Sequence, residues 1–199
     1  CVDGLRLYQL LSLHDVPRNF DEKKLRITII GGSLGAAALN EMVPKALKHF
    51  DSDCIRVVHQ CGKNNSAHVS ELYAGAAFEY EVRDFVDDMD LLYRNTDLMI
   101  CRAGALTVAE VSCSCLPAIF VPLPTAVDDH QYKNAQYLVN AQAAFCFRQA
   151  ELDDGKLYET VLALNSDREK LKAMCKASGQ CAKTDSTRLA VSILEQIAL

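Results

Sequence analysis

A cation, a glycine and a carboxylate fall within one short stretch, CRAGALTVAE at residues 101–110. The run TDLMI before it reads as a buried strand, because Leu98, Met99 and Ile100 stand together without a break, and a helical pattern follows. Arg102, Ala103 and Gly104 must then form the tight turn between the two. Beyond them the helix start at Ala105, Leu106 and Thr107 offers N–H donors that suit an anion. Glu110 has two readings: a carboxylate that accepts both hydroxyls of a ribose, or the partner of Thr107 in a Thr-x-x-Glu capping box. Arg102 likewise reads as a ligand of the anion or as a solvated turn residue.

The stretch IIGGSLGAAALNE at residues 29–41 repeats this layout of strand, glycine turn and helix, a geometry that favours phosphate. Its spacing is not G-x-G-x-x-G, and the next strand ends in HQCGK without an acidic residue to hold a ribose. No Lys follows the second glycine cluster as it would in a Walker loop. Dinucleotides and triphosphates are therefore disfavoured, and a nucleoside diphosphate shared between the two helix starts is not. The structural alternative is a glycine turn made for close packing, with Ser33 as an ordinary N-cap.

Further along, VRDFVDDMD at 82–90 places Asp87 or Asp88 to cap the helix that runs through Tyr93, with Phe85, Val86 and Met89 as core unless they meet a ligand. TAVDDHQYKNAQYL at 125–138 puts Asp128 and Asp129 at a helix start and His130, Gln131 and Asn134 on its first turn, where amides suit sugar hydroxyls. Two Asp-x-Asp patterns, at Asp51 with Asp53 and at Asp88 with Asp90, lack the setting of a metal site. No Ser/His/Asp nucleophilic set is evident.

The elements that must position these residues alternate. Short apolar runs at 26–30, 55–59, 78–82, 97–101, 117–121 and 144–147 are each followed by a helical pattern, which implies crossover connections and a doubly wound, Rossmann-like parallel sheet of the α/β class. Ligands of such sheets lie at the carboxyl ends of the strands, near the switch point. From Asp153 onward the pattern is helical only. Residues 1–24 read as an irregular entry segment and residues 25–199 as one ligand-binding domain with a helical C-terminal part.

Half of the 199 residues are hydrophobic, enough for a real core, and 21 basic against 26 acidic residues give a net charge of −5. No basic run tracks a nucleic-acid backbone, so no nucleic-acid partner is expected. No apolar stretch approaches the roughly 20 residues of a membrane span, and a secretory layout is absent, so the chain reads as soluble. Beginning at Cys1, it reads as a fragment or a trimmed chain. Nine cysteines, an odd number with no C-x-x-C pair, read as structural or incidental thiols in a reducing compartment.

Taken in order, GGSLGAAALNE, FVDDM, CRAGALTVAE, LPAIFVPLP and DDHQYKNA resemble the C-terminal half of the MurG family, over about residues 26–147. The family comprises UDP-N-acetylglucosamine transferases that complete the lipid-linked disaccharide of bacterial peptidoglycan. The resemblance implies the C-terminal donor domain of a two-domain GT-B glycosyltransferase and an inverting transfer without a cofactor or metal. The acceptor, lipid I, would be held by an N-terminal domain outside this chain, at the cytoplasmic face of the inner membrane. It also implies site residues. Ser33 and the amides of Ala105, Leu106 and Thr107 would hold the diphosphate, with Arg102 at the same end and Val108 and Ala109 as further donor-binding residues. Glu110 would take the ribose, and uracil would sit at the main chain of Val86 beside Phe85 and Met89. Gln131 would bind the sugar, with His130 and Asn134 nearby, and Arg6 would be a further donor contact.

Leu34 and Ala103 depart from the family's usual polar residues, and VDGLR at 2–6 is a degraded form of its G-N-P-x-R segment. No catalytic residue is assigned, because the acceptor side is missing, and this chain alone is expected to bind the donor with little or no transfer. Three other readings stand beside this one: the donor subunit of a split N-glycan-type transferase, a non-catalytic UDP-sugar-binding module, and a nucleotide-sugar epimerase of the same fold.

Overall fold

The computed structural model describes Phe20, Glu22 and residues 24–182. Strands β1 (Leu25–Ile30), β2 (Ile55–Gln60), β3 (Glu79–Arg83), β4 (Leu98–Cys101), β5 (Ala118–Phe120) and β6 (Ala144–Cys146) form one parallel sheet in the order β3-β2-β1-β4-β5-β6. Between them run α1 (Ala37–Leu47), α2 (Ser66–Tyr73), α3 (Met89–Arg94), α4 (Ala105–Cys113) and α5 (His130–Asn140). After β6 the chain continues as α6 (Asp154–Ser166) and α7 (Arg168–Gln180). The expected doubly wound sheet is thus present, with β5 and β6 shorter than their apolar runs and β3 shifted by one residue.

Burial explains the strand sequences. A parallel sheet is covered on both faces, so its central strands need apolar side chains in succession, and all four residues of β4 are buried. Ile27, Ile29, Val57 and Ile100 join a core with Leu39 and Val43 of α1 and Leu157 and Val161 of α6. Met99, Cys101 and Phe120 join a second core with Val108 and Val111 of α4 and Leu138 of α5. Each fully buried Leu, Ile or Phe contributes about 1.5–3 kcal/mol. The edge strand β3, EYEVR, is largely exposed, and its charges discourage a further strand from pairing there.

β1 and β4 are neighbours, with Ile30 opposite Cys101. The chain leaves β1 toward β2 on one side and β4 toward β5 on the other, so the loops after Ile30 and Cys101 diverge and open a crevice at the switch point. The other end of this seam is pinned. Arg26 donates from Nη2 to Asp97 Oδ1 at 2.7 Å and from Nε to Oδ2 at 2.9 Å, while Thr28 and Thr96 share a hydroxyl bond of 2.7 Å. Asp51 and Asp53 sit between α1 and β2 at this opposite, amino edge, away from the crevice.

α6 packs on α1 and α7 on α4, so the helical C-terminal part covers both cores from outside. Residues 183–199 and Arg6 lie outside the described residues. No helix among the described residues is long and apolar enough to cross a membrane. None of the eight described cysteines is in a disulfide, and burial pushes the Cys61 and Cys146 thiols up to about 11.

Candidate functional site

The first wall of the crevice is the loop at 31–36. Gly31 continues the ladder by donating its N–H to the Gln60 carbonyl at 2.9 Å, and Gly35 closes a turn on the Gly32 carbonyl at 3.0 Å. Two glycines, Gly35 and Gly62, combine tight surroundings with left-handed backbone. A Cβ on Gly35, φ +78°, would lie 2.2 Å from the Cys61 carbonyl oxygen, and one on Gly62, φ +86°, would lie 2.1 Å from the Gly35 nitrogen. The loops after β1 and β2 therefore meet backbone to backbone, which the lone glycine in HQCGK signals. Ser33 and Leu34 stand exposed, Leu34 at 90%. α1 begins only at Ala37 with Ala36 at its N-cap position and no side-chain cap, so the N-cap reading of Ser33 does not hold.

Beneath this loop, β2 ends in a buried polar relay. Asn40 donates Nδ2 to the Cys61 carbonyl at 2.9 Å, which leaves its Oδ1 facing His59 Nε2 at 3.1 Å. His59 must then donate from Nε2 and accept at Nδ1 from the Tyr73 hydroxyl at 3.1 Å. Burial holds this imidazole neutral and pushes its pKa down to about 3. Gln60 reaches the other way. Its Oε1 accepts from Gly32 N at 3.0 Å, and its Nε2 donates to the Gly32 carbonyl at 3.0 Å and the Asp84 carbonyl at 2.8 Å.

The second wall is the turn at 102–104. Gly104 is the extended N-cap residue of α4 and supplies no side-chain cap, so the first amides of α4 open toward the crevice. The capping box is not formed. Glu110 lies deeper in the helix, 5% exposed, and its Oε2 accepts the Tyr93 hydroxyl at 2.9 Å. Ala105 and Leu106 are exposed, Thr107 and Ala109 half-buried, and Val108 packs in the second core. The turn itself is tied from one helix, α5, and a loop. Ala103 donates its N–H to Gln131 Oε1 at 3.3 Å and accepts at its carbonyl from Asn134 Nδ2 at 3.2 Å; Gln131 Oε1 also receives the Leu123 N–H at 3.0 Å.

Arg102 is more than a solvated turn residue, and its partners among the described residues are not carboxylates. Its guanidinium, half-buried, donates to the carbonyls of Val121 at 2.9 Å and Pro122 at 3.2 Å and to Gln149 Oε1 at 2.9 Å, and burial lowers its pKa. It thereby joins the ends of three successive strands, and its three acceptors are neutral.

Asp88 caps α3 by accepting Leu91 N–H at 2.9 Å. Phe85 is 66% exposed rather than core, whereas Val86 is buried and Met89 packs on the second core. Before α5 the backbone passes through two left-handed residues, Asp128 at φ 51° and Asp129 at φ 57°. Arg148 grips the Asp129 carboxylate with bonds of 2.6 and 3.2 Å, holding its pKa low, and stacks 4.0 Å over the Tyr132 ring. His130 is exposed beside it.

The sheet order thus brings Ser33, Phe85, Val86, Arg102, Ala105, Leu106, Thr107, His130, Gln131 and Asn134 to one edge, while Met89, Val108 and Glu110 turn toward the second core. Sequence reasoning missed Asn40, His59, Gln60 and Arg148, and with Arg148 the ion pair of Asp129, which it had placed only as a helix-start residue. Gln60 alone had a visible signal, an amide at the strand end where an acid was sought.

A doubly wound sheet with two glycine-marked helix starts at one switch point is the fold of the C-terminal domain of GT-B glycosyltransferases. Residues 26–191 match the glycosyltransferase family 28 C-terminal domain, and the chain belongs to that family. It is 46% identical over 175 residues to the "UDP-N-acetylglucosamine--N-acetylmuramyl-(pentapeptide) pyrophosphoryl-undecaprenol N-acetylglucosamine transferase" of Thiobacillus denitrificans, covering 87% of this chain and 47% of the relative. The Psychromonas ingrahamii protein of the same name is 41% identical, over 95% of this chain and 53% of its own length. Among solved structures, MurG of Acinetobacter baumannii superposes with a TM-score of 0.84 at 38% identity, over 92% of this chain and 55% of that one. The chain spans about half the length of the relatives it matches. A UDP-GlcNAc 2-epimerase from Neisseria meningitidis, TM-score 0.62 at 11% identity, covering 97% of this chain and 48% of that one, shares the fold alone.

Proposed function

We propose that this chain is the donor half of an inverting transferase that moves N-acetylglucosamine from UDP-N-acetylglucosamine to lipid I, giving lipid II for peptidoglycan. The observation that carries the reading is the pairing of β1 with β4, which sets the uncapped starts of α1 and α4 on either side of one crevice. Their N–H groups, with Ser33, suit a diphosphate. The Arg102 cation, bonded among the described residues to neutral acceptors, adds a fixed positive charge from behind the turn.

In the transfer, the acceptor hydroxyl attacks the anomeric carbon, the bond to the diphosphate breaks, and UDP leaves with the negative charge that develops. Dipoles already fixed in place stabilise that charge without reorganising, which is the form of electrostatic help that lowers a barrier most. Glu110, whose Oε2 is held by the Tyr93 hydroxyl, is the group assigned to the ribose hydroxyls, with its carboxylate reached from α4. Phe85 lies on the uracil, whose polar edge meets the main chain of Val86. Gln131 and Asn134 tie α5 to the turn at Ala103 and carry the sugar end, next to His130. Arg6 is a further donor contact. The acceptor site and the surface that meets the cytoplasmic face of the membrane belong to the remaining half of the longer relatives, so the isolated chain binds donor with little or no turnover.

Relatives above 40% identity favour this reading over a split N-glycan-type subunit. Calorimetric titration with UDP-N-acetylglucosamine, UDP and GDP, repeated with Glu110→Gln, tests it. Uridine ligands alone are expected to bind, about tenfold more weakly in the variant, for which loss of a charge-assisted bond suffices. Equal binding of GDP, or no loss in the variant, overturns the assignment of the base or of Glu110.

A further inference from the structure

We propose that Gln60 is a positioning residue that couples the two ends of the nucleotide site, holding the glycine loop at 31–35 and the base loop at 84–86 in one register. The inference rests on the donor-binding reading above and goes beyond it, since Gln60 touches no part of the donor in that reading.

Gln60 closes β2, which lies between β1 and β3, so its side chain emerges midway between the loops that follow those two strands. It is 5% exposed. Its amide both accepts from Gly32 N–H and donates to the Gly32 carbonyl, as a peptide group would, and so carries the β1–β2 ladder to the second residue past the end of β1. Its second amide proton goes to the Asp84 carbonyl. Asp84 is also held from its side chain, where Oδ1 accepts the N–H groups of Ser66 at 2.8 Å and Asn65 at 3.1 Å and starts α2. The residue just before Phe85 and Val86 is therefore fixed at both its carbonyl and its carboxylate. On the other side, both polar groups of the Gly32 backbone are engaged, and the next amide in the turn is that of Ser33, the residue assigned to the diphosphate.

Only a carboxamide satisfies this arrangement. A glutamate has the same shape but no donors, and would set a carboxylate against two carbonyl oxygens. In dinucleotide-binding sheets an acid at this strand end turns outward to a ribose. Here the amide turns inward to the protein, which gives a chemical reason for the missing acid in HQCGK.

The test compares wild type with Gln60→Glu, Gln60→Met and Leu164→Ala; the last weakens the core far from the crevice and serves as the control for general destabilisation. UDP and uridine affinities are measured by calorimetry on folded protein, and backbone NMR shifts are followed for residues 31–35 and 84–86. In Gln60→Glu, UDP is expected to bind at least about tenfold more weakly, given two or more lost bonds, and uridine, which lacks phosphate, is expected to weaken as well. The resonances of both loops move together, while Leu164→Ala changes neither affinity nor loop shifts. Should Gln60→Glu not fold, Gln60→Met removes the same bonds without adding charge and is judged by the same criteria. Shifts confined to one loop, or affinities within about twofold of wild type, overturn the coupling. If wild type binds no UDP, the donor reading falls, and the loop shifts still decide whether Gln60 joins the two loops.

Discussion

The two walls of the crevice are built by different means. The wall after β1 is held from below by groups that water does not reach: His59, Asn40 and Gln60 are buried, and the Gly35 and Gly62 backbones are in direct contact. The wall after β4 is held from the side, by a half-buried arginine, by amides on the first turn of α5, and by an ion pair at Asp129 that stands in solvent. Hydrogen bonds sealed from water are costly to leave half-made, whereas exposed ones exchange for water at little cost. Damage to the first wall should therefore appear as lost stability, and damage to the second as altered binding in a protein that remains folded.

The largest effect should come from Gly62→Ala, whose Cβ would sit 2.1 Å from a backbone nitrogen at φ +86°. A loss of about 3–5 kcal/mol is expected in denaturant unfolding. Gly75→Ala sharpens the point, because Gly75 has φ +82° with nothing within 4 Å, and should lose only the left-handed penalty of about 1 kcal/mol. Similar losses at the two positions would remove backbone contact as the cause.

Next comes acidity. His59 is neutral in the fold, with a pKa of about 3 against 6.5 for the free side chain, so protons bind the unfolded chain first. Its contribution is complete above pH 6.5 and is lost as the pH falls toward 3. Between pH 7 and pH 5 the loss is about 2 kcal/mol. Carboxylates held low, such as Asp84 and Asp129, act in the same direction but below pH 4. A variant His59→Gln should lack the component between pH 7 and 5; if its pH profile matches wild type, His59 is not the source.

On the second wall, Arg102→Gln should lower stability by only about 1–2 kcal/mol, since the guanidinium is half-buried and its three acceptors are neutral. UDP affinity should fall more clearly, by about tenfold at low salt. An unchanged affinity would mean that the cation serves packing alone. The smallest effect should be that of Arg148→Gln, with a shift in melting temperature below about 3 °C and a modest, salt-sensitive weakening of UDP-N-acetylglucosamine relative to UDP. Equal weakening of both ligands would place the effect at the nucleotide end instead.

The same contrast explains what could be read from the sequence. The strands, the glycine turn and the helix start at Gly104 were legible because strand burial and turn geometry leave marks in adjacent residues, as in LMIC followed by RAG. Capping was judged less well: Ser33 and the pair Thr107 and Glu110 match local capping patterns, yet the helices begin at Ala37 and Ala105 and Glu110 turns to Tyr93. The relay through Asn40, His59 and Tyr73 joins three elements, and the grip of Arg148 on Asp129 joins two positions 19 apart. Such contacts exist only once the sheet order is known, and no spacing rule reports them.

The seam between β1 and β4 also sets an order in time. Thr28 and Thr96, whose hydroxyls meet across it, are 68 residues apart, whereas β1 pairs with β2 and β2 with β3, each with its successor. Closing so long a segment costs entropy before any contact repays it, and such pairings slow folding. We expect the glycine loop and its Gln60 clamp to assemble within the first three strands, with the crevice itself completed only when β4 docks. Asp97→Asn, which weakens the pin at that seam, should then slow refolding in stopped-flow experiments more than it speeds unfolding; the reverse partition would mean that the seam closes after the rate-limiting step.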